Sequence, residues 1–231
     1  MVEITLVKLT EGYPLWEEGL NFVSEERKAR VNGFWNLEDK KRCLLSELLM
    51  KKAYFEKLAM PLNQIKINYN LYHKPFFAGS KNFEFNVSHS DSYVVFALSK
   101  NTIGIDIEKI KKINFNIAKR FYTEKEYKSI ISLPTYTERL HHFYTLWTLK
   151  ESYVKAIGMG LNLPLHTFEF VLNDKEIFVN SQVEQEFSFY TGEVEDYSIS
   201  ICHKEKKQEY TFSWFTEEEI YKYFHDIDLA N

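Results

Sequence analysis

Hydrophobic and polar residues alternate at the beginning of the chain, over residues 1–9, and this period of two predicts a β-strand. Similar strand patterns follow at 65–69, 93–98, 103–108, 168–172, 186–190, 197–201 and 210–215. Apolar residues at helical spacing predict helices over 15–20, 24–31, 37–58, 114–121, 137–157 and 217–224. Because helices followed by strands occur twice, we predict an α+β fold of two pseudo-symmetric halves. Each half is expected to be a small antiparallel sheet packed with helices, 1–102 and 103–231, with a ligand cleft between them.

The strand predicted over residues 103–108 places apolar and acidic side chains on opposite faces. Its three isoleucines point toward a core, whereas Gly104, Asp106 and Glu108 share the other face. Side chains two residues apart on one face lie about 6–7 Å apart, so both carboxylates can reach one hard cation. Gly104 is expected to leave room for a ligand beside them. From spacing alone, a solvated edge strand is the alternative interpretation.

Two local predictions concern the neighbours of this strand. Residues 93–98 and 103–108 are joined by a short polar turn, and we expect them to pair as an antiparallel hairpin. The preceding stretch is interpreted as a loop that carries Ser88, His89 and Ser90.

The helix predicted over 137–157 carries three charged residues near its end. Lys150 lies in the middle of the apolar face, so its ammonium group must either extend to solvent or meet an anion. Glu151 and Lys155 lie on the flank at i, i+4 spacing, where a surface ion pair is the alternative to a functional role. Upstream, Thr123 and Glu126 match the capping-box pattern of a helix start.

Composition narrows the class of protein. The chain has 231 residues, of which 45% are hydrophobic, and its net charge is only −4, so no basic surface predicts a nucleic-acid partner. Cys43 and Cys202 lie far apart without other ligands at metal spacing, which favours a reducing cytoplasm over a disulfide framework. No apolar run is long enough to span a membrane.

Four stretches together resemble the signature motifs of the Sfp-type 4′-phosphopantetheinyl transferases. They are 85–90 (FNVSHS), 104–108 (GIDIE), 147–152 (WTLKES) and 155–161 (KAIGMGL). Arg42 and the sequence His73-Lys74-Pro75 add to the likeness, which extends over most of the chain but is only general beyond residue 170. Each motif is modest alone, whereas the ordered set is specific.

This resemblance implies transfer of the 4′-phosphopantetheine arm of coenzyme A to a serine of an acyl or peptidyl carrier protein. The reaction is expected to require Mg²⁺ and to release adenosine 3′,5′-bisphosphate. A monomer is expected because both halves lie in one chain. The pathway served, such as nonribosomal peptide, polyketide or fatty-acid synthesis, stays open. The alternatives are a non-catalytic module that binds coenzyme A or a carrier protein, and a magnesium-dependent nucleotide hydrolase.

The resemblance also implies roles for individual residues. Asp106 and Glu108 are expected to hold the metal ion, with Glu151 completing the site or acting as the base. Glu151, Lys155 and His89 form the implied catalytic group. The implied coenzyme A contacts are Arg27, Arg30, Arg42, Lys74, Pro75, Ser88, His89, Lys150 and Lys155.

Two residues depart from the family pattern near the implied nucleotide pocket. His73 and Ser46 stand where the family often has glycine, which puts the fit of the adenine and ribose in question. The carrier protein is expected to dock near the helix that follows Asn114.

Overall fold

The computed structural model describes residues 1–12, 15–77, 82–173, 176–183, 186–204 and 209–230. Its strands are β1 Val2–Lys8, β2 Ile67–Tyr69, β3 Pro75–Phe77, β4 Glu84–Ser90, β5 Tyr93–Ser99, β6 Ile103–Lys109, β7 Glu169–Leu172, β8 Ile177–Asn180, β9 Ser188–Val194, β10 Tyr197–His203 and β11 Tyr210–Thr216. Its α-helices are α1 Glu25–Asn32, α2 Leu37–Leu58, α3 Ala118–Phe121, α4 Glu124–Ser132, α5 Tyr136–Ile157 and α6 Glu217–Ala230. Among the helices in these ranges, none is long and apolar enough to cross a membrane.

Two main sheets confirm the α+β class. The first has the strand order β11-β1-β5-β4, and the second has the order β6-β10-β9. All pairs in them are antiparallel except β1 with β11, which is parallel. Two short hairpins, β2–β3 and β7–β8, complete the strand pairing.

The C-terminal segment of the chain returns to the first half. Strand β11 pairs with β1, and α6 packs Ile220, Tyr221 and Phe224 into the apolar core beneath α2. Residues 210–230 therefore belong with the first half, although they follow the second half in sequence. Local patterning cannot reveal this return because β1 and β11 are about as distant along the chain as two strands can be.

The predicted hairpin between 93–98 and 103–108 is wrong, because β6 belongs to the second sheet and pairs with β10. The predicted faces of β6 are nevertheless confirmed. Ile103, Ile105 and Ile107 are fully buried, in a core formed with apolar residues of β1, β5 and β10. Strand β6 thus lies at the centre of the molecule, with one face against the other sheet.

Helix α5 covers the opposite face of β6, and Gly104 makes this possible. A Cβ atom at Gly104 would lie 2.0 Å from the carbonyl oxygen of Ser152 and 2.4 Å from the amide nitrogen of Ala156. The glycine therefore accommodates the helix backbone, and the expectation that it leaves room for a ligand is wrong. This close approach fixes the position of α5 relative to the acidic residues of β6.

Capping residues define the helices of the second half. Thr123 and Glu126 form the predicted capping box at the start of α4, and Thr135 forms a second one at the start of α5. Gly158 ends α5 in the left-handed conformation, with φ of +77°. This turn leads the chain from α5 into the loop that follows.

Candidate active site between the two halves

Strands β4 and β6 lie side by side at the junction of the halves, although they belong to different sheets. Side chains bridge them: the Ile105 amide donates to Asn86 Oδ1 (3.0 Å), and the Ser88 hydroxyl donates to Asp106 Oδ1 (2.8 Å). The Ser90 hydroxyl donates to Glu108 Oε2 (2.8 Å). The stretch predicted as a Ser-His-Ser loop is in fact a strand whose alternate residues face β6.

Asp106 is the most buried acid of this junction, with 3% of its surface exposed. Its Oδ1 atom accepts hydrogen bonds from Ser88 and from the Lys155 ammonium group, which lies 2.5 Å away. Its Oδ2 atom is buried and has no partner among the described residues. Burial raises the pKa of the Asp106 carboxyl above its ordinary value, despite the opposing effect of Lys155.

Glu108 and Glu151 add two more carboxylates around Lys155. Burial, followed by the charge of Asp106, raises the pKa of Glu108 to about 7. The same two causes raise the pKa of Glu151. Three acids with raised pKa values around one lysine indicate a site with an excess of negative charge.

This donor set fits a magnesium ion. Hard divalent cations prefer carboxylate oxygens, and the unpartnered Oδ2 atom of Asp106 has unused capacity to bind one. Within the described ranges, no three His, Cys, Asp or Glu side chains are already close enough together to hold an ion. The carboxylates of Asp106, Glu108 and Glu151 would therefore have to turn toward one another to bind it.

A cleft of about 640 Å³ is lined by Glu151 and Lys155, whereas Asp106 and Glu108 lie behind them and are not part of its lining. The first half contributes Tyr72, His73, Lys74, Pro75, Asn86 and Val87. The second half contributes Arg120, Phe121, Trp147, Glu151, Val154, Lys155, Gly158, Gly160, Leu163, Pro164, Leu165 and His166. Glu151 and Lys155 face this space from one side of α5, so charged groups and apolar walls meet in one cleft.

His89 lies on β4 next to these groups and keeps contact with solvent. The surrounding protein disfavours the charged ring, and the positive charges of Lys155 and Arg42 act in the same direction. Together they lower the pKa of His89 to about 4. The ring is therefore neutral at neutral pH in the ligand-free protein.

Lys74 and Pro75 line the cleft, as their predicted role requires. The Lys74 ammonium group donates to the carbonyls of Ile103 (3.2 Å) and Ala156 (3.0 Å), and burial lowers its pKa. His73 has φ of +62°, in the left-handed region, which explains why glycine suits this position in the family.

A smaller pocket of about 320 Å³ adjoins the cleft through His73, which lines both spaces. Arg27 and Arg30 lie in this second pocket. Arg27 is almost fully buried, and its guanidinium group pairs with Glu47 (2.9 Å) and donates to Tyr69 (3.2 Å). Its cationic group is thus already occupied by the protein.

Arg42 lies near His89, but its guanidinium group donates to the Asp91 carbonyl and to the Asp39 carboxylate. Ser46, one turn later on α2, is buried and donates its hydroxyl to the Arg42 carbonyl (2.7 Å). The serine that departs from the family pattern is therefore accommodated within the helix.

Lys150, which was predicted to contact phosphate, does not line the cleft. Its ammonium group is fully buried on another side of α5, where it pairs with Glu126 (2.9 Å). It also donates to the carbonyls of Leu165 (2.8 Å) and Phe168 (2.6 Å), so its three N–H groups are all used. The sequence allowed the Lys150 ammonium group either to extend to solvent or to meet an anion, and the structure shows the second, with Glu126 as the anion.

Asn86 and Ser90 were not predicted as site residues. A signal was present, because residues 86, 88 and 90 repeat the alternation of residues 104, 106 and 108. The two patterns face each other only if β4 and β6 are neighbours. The predicted hairpin instead made β5 the neighbour of β6.

The fold and site define an α+β protein with an acidic, lysine-containing cleft between two halves, and comparisons identify its family. The profile "4′-phosphopantetheinyl transferase superfamily" matches residues 102–202, and "4′-phosphopantetheinyl transferase, N-terminal" matches residues 11–101. Together these profiles cover most of the chain. The chain belongs to the 4′-phosphopantetheinyl transferase superfamily and is an enzyme of that class.

Three relatives, each at least 31% identical, agree with this assignment. The 4′-phosphopantetheinyl transferase gsp of Aneurinibacillus migulanus is 37% identical, over 78% of this chain and 76% of its own length. The transferase Sfp of Bacillus subtilis strain 168 is 35% identical, over 68% and 70%. The human L-aminoadipate-semialdehyde dehydrogenase-phosphopantetheinyl transferase is 31% identical, over 79% and 67%. A solved holo-(acyl-carrier-protein) synthase from Bacillus anthracis shares 20% identity with a TM-score of 0.41, over 46% of this chain and 96% of that chain.

Proposed function

We propose that this transferase takes the 4′-phosphopantetheine arm from coenzyme A and attaches it to a serine of an acyl or peptidyl carrier protein. The observation that supports this most is the cluster of Asp106, Glu108 and Glu151 around Lys155, at a cleft shared by both halves. A pyrophosphate substrate needs oxygen ligands for a hard cation together with a nearby ammonium group. The cluster supplies both.

The proposed metal site consists of Asp106 and Glu108, to which Glu151 can add a further oxygen. The Oδ2 atom of Asp106, which no described residue contacts as a hydrogen-bond donor, supports this role, since a buried acceptor without a donor is costly unless a ligand uses it. When bound, magnesium neutralises charge on the pyrophosphate and polarises its P–O bonds.

Glu151 is proposed to accept the proton of the carrier serine. It faces the cleft, and its raised pKa makes the carboxylate a better base than an ordinary glutamate. The serine oxygen forms a bond to the phosphorus that bears the pantetheine arm. The bond from that phosphorus to the bridging oxygen breaks, and adenosine 3′,5′-bisphosphate leaves with the electron pair.

Lys155 is proposed to stabilise negative charge on the phosphorus centre during transfer. In the ligand-free chain its ammonium group is held by Asp106 and Ser88, at 2.5 and 2.7 Å. Its side chain is 28% exposed, so it can reach toward the cleft without a buried cation being stranded. The neutral ring of His89 adds a hydrogen-bond donor next to this group.

The nucleotide end of coenzyme A is proposed to lie along Lys74 and Pro75 and toward the pocket of Arg30. This pocket opens next to the cleft, at His73. Arg27 and Arg42 already form ion pairs with Glu47 and Asp39. We therefore propose that they attract the phosphates through their positive charge and do not bind them directly. Ser88 is proposed to act by holding Asp106 and Lys155 in place.

The carrier protein is proposed to dock at the mouth of the cleft near α3. Arg120 lines the cleft and is exposed, and Ile117 beside it is 43% exposed. An exposed apolar residue next to a cation suits a partner with an acidic, partly apolar surface. We retain the predictions of a monomer and of a cytoplasmic location, the second because Cys43 and Cys202 are free and buried.

The direct test is to incubate the purified chain with coenzyme A, Mg²⁺ and an apo carrier domain, and to measure the intact mass of the carrier. We expect a gain of one phosphopantetheine group, together with release of adenosine 3′,5′-bisphosphate. A carrier whose serine is replaced by alanine is the matched control and should keep its mass.

Other outcomes would contradict the proposal. Unchanged mass across a panel of acyl and peptidyl carriers, with coenzyme A binding detected by calorimetry, would favour a non-catalytic binding module. Release of adenosine 3′,5′-bisphosphate with the carrier omitted, at the same rate as with it, would favour a hydrolase.

A further inference from the structure

Lys150 and Glu126 form an ion pair directly behind the cleft, where neither side chain is more than 1% exposed. We infer that this pair is a positioning device, which holds the 163–166 wall of the cleft against helix α5 and thereby sets the affinity for the substrate arm. The inference deepens the proposed function, because it assumes that this cleft binds the pantetheine arm of coenzyme A.

The contacts of the pair connect three separate segments. Lys150 on α5 donates to the carbonyls of Leu165 and Phe168, which lie in the loop after α5. Glu126 on α4 accepts from the amide of Phe170 (2.8 Å) and from the amide of Thr123 (2.8 Å). The loop is thus tied to α5 by Lys150, and strand β7, which directly follows the loop, is tied to α4 by Glu126.

The tied loop is also a wall of the cleft. Residues 163–166 face the cleft, and so do Trp147 and Glu151, which lie one turn before Lys150 and directly after it. A single ammonium group therefore links the helix that carries the proposed base to the opposite wall. A shift of the wall changes the width of the cleft but leaves Lys155 and Asp106 where they are.

Stability alone does not require this arrangement. Replacing a buried ion pair by neutral side chains of similar volume is often neutral or stabilising, whereas removing one partner is costly. The bonds of Lys150 to two loop carbonyls are its distinguishing feature, since they fix the first and the C-cap residue of a short 3₁₀ turn, Leu165–Thr167, within this loop. The pair therefore contributes more to the shape of the cleft than to the core.

The test uses the full chain with the double substitution Lys150→Met and Glu126→Gln. The double variant leaves no unpaired buried charge, and glutamine keeps one acceptor oxygen, so folding is preserved better than in either single variant. We expect KM for coenzyme A to rise about tenfold with kcat changed less than about threefold, because substrate binding is weakened and the reacting groups are not.

The matched control is the double substitution Lys41→Met and Glu217→Gln. Lys41 and Glu217 form another buried pair (3.2 Å, at most 2% exposed), and Lys41 also donates to a carbonyl, that of Thr10. This pair does not line the cleft. The control should leave KM unchanged, even where its thermal stability falls as much as that of the first variant.

Hydrogen exchange supplies a readout that is independent of activity. The Thr167 amide donates to the Pro164 carbonyl within the tied loop, and it should lose protection in the Lys150→Met/Glu126→Gln variant but not in the control. Unchanged KM and unchanged Thr167 protection in a folded variant would overturn the inference, as would an equal rise of KM in the control. If the wild-type chain transfers nothing, the proposed function fails, and exchange at Thr167 still decides whether the pair positions the loop.

Discussion

Helix α5 carries two lysines five residues apart, Lys150 and Lys155, and each is paired with a carboxylate from another element. The two pairs differ in how many of their hydrogen-bonding positions are used. Lys150 and Glu126 are closed off from solvent, and every N–H group of the lysine has an acceptor. Lys155 lines the cleft and is 28% exposed, and one oxygen of its buried partner Asp106 has no hydrogen-bond partner among the described residues. The closed pair, Lys150 with Glu126, has no unused hydrogen-bonding position on its lysine for a ligand. The open pair, Lys155 with Asp106, has an unused acceptor oxygen in the described structure.

This contrast teaches that charge identity alone does not mark a functional residue. Both lysines lie in motif stretches, and both were predicted to act on phosphate groups. The number of unused hydrogen-bonding positions separates them, because a ligand can bind only where such positions remain. The following predictions test the contrast, from the largest expected effect to the smallest.

The largest difference is expected between Asp106→Ala and Glu126→Ala. Asp106→Ala removes a proposed metal ligand and should lower kcat by a factor on the order of 10³ or more. Glu126→Ala should retain most of kcat at saturating substrate, because it leaves the open pair intact. Steady-state transfer assays at several coenzyme A concentrations measure both values. Equal residual kcat values in the two variants would contradict the conclusion that only the open pair takes part in catalysis.

The opposite order is expected for stability when each lysine is changed to methionine. Lys150→Met strands the buried Glu126 carboxylate and should lower the free energy of unfolding by about 3–5 kcal/mol. Lys155→Met should lower it by only about 1 kcal/mol, because this lysine is partly exposed and the raised pKa of Asp106 lets it take up a proton. Urea denaturation monitored by fluorescence measures both changes. A larger loss for Lys155→Met would contradict the assignment of open and closed pairs.

Ser88→Ala sharpens the account of the open pair. The Ser88 hydroxyl donates to Asp106 and accepts from Lys155, so its removal should loosen both groups and lower kcat/KM about tenfold. Thr123→Ala, which removes the cap next to Glu126, is the matched change at the closed pair. It should cost about 1 kcal/mol of stability and leave kcat unchanged. Ser88→Thr keeps a hydroxyl group at this position. Higher kcat/KM in Ser88→Thr than in Ser88→Ala would support a positioning role for the hydroxyl.

The smallest effect concerns the titration of His89. Its pKa of about 4 lies below the ordinary value, so between these pH values the unfolded chain binds more protons than the folded one. Stability from this residue is therefore present at neutral pH and is lost as pH falls toward 4. The loss should be about 1 kcal/mol, because solvent contact screens the ring.

NMR titration of the His89 ring links this value to the two lysines. Lys155→Met should raise the pKa of His89, because the Lys155 charge contributes to its depression. Lys150→Met should leave the pKa of His89 unchanged, since the closed pair is not among the groups that act on it. A pKa of His89 that responds equally to both substitutions would show that the two pairs are not electrostatically distinct at this site.

Much of the candidate site was predictable from residue patterns. The period of two along 103–108 correctly placed three isoleucines in a core and Asp106 with Glu108 on the other face. The i, i+4 spacing of Glu151 and Lys155 placed both on one flank of α5, and this flank lines the cleft. These predictions succeeded because they depend only on the local geometry of a strand or a helix.

The sequence by itself determined most of the elements, the faces of β6, the flank of α5 that carries Glu151 and Lys155, the capping box of α4 and the family motifs, because each depends on residues close together along the chain. Only the tertiary structure decided that β6 pairs with β10, that β11 returns to β1, and that Gly104 admits the helix backbone. It also decided that Lys150 pairs with Glu126 and that one oxygen of Asp106 has no hydrogen-bond partner in the described part of the chain. These outcomes depend on which distant groups compete for the same buried space and the same hydrogen bonds, and local spacing contains no information about that competition.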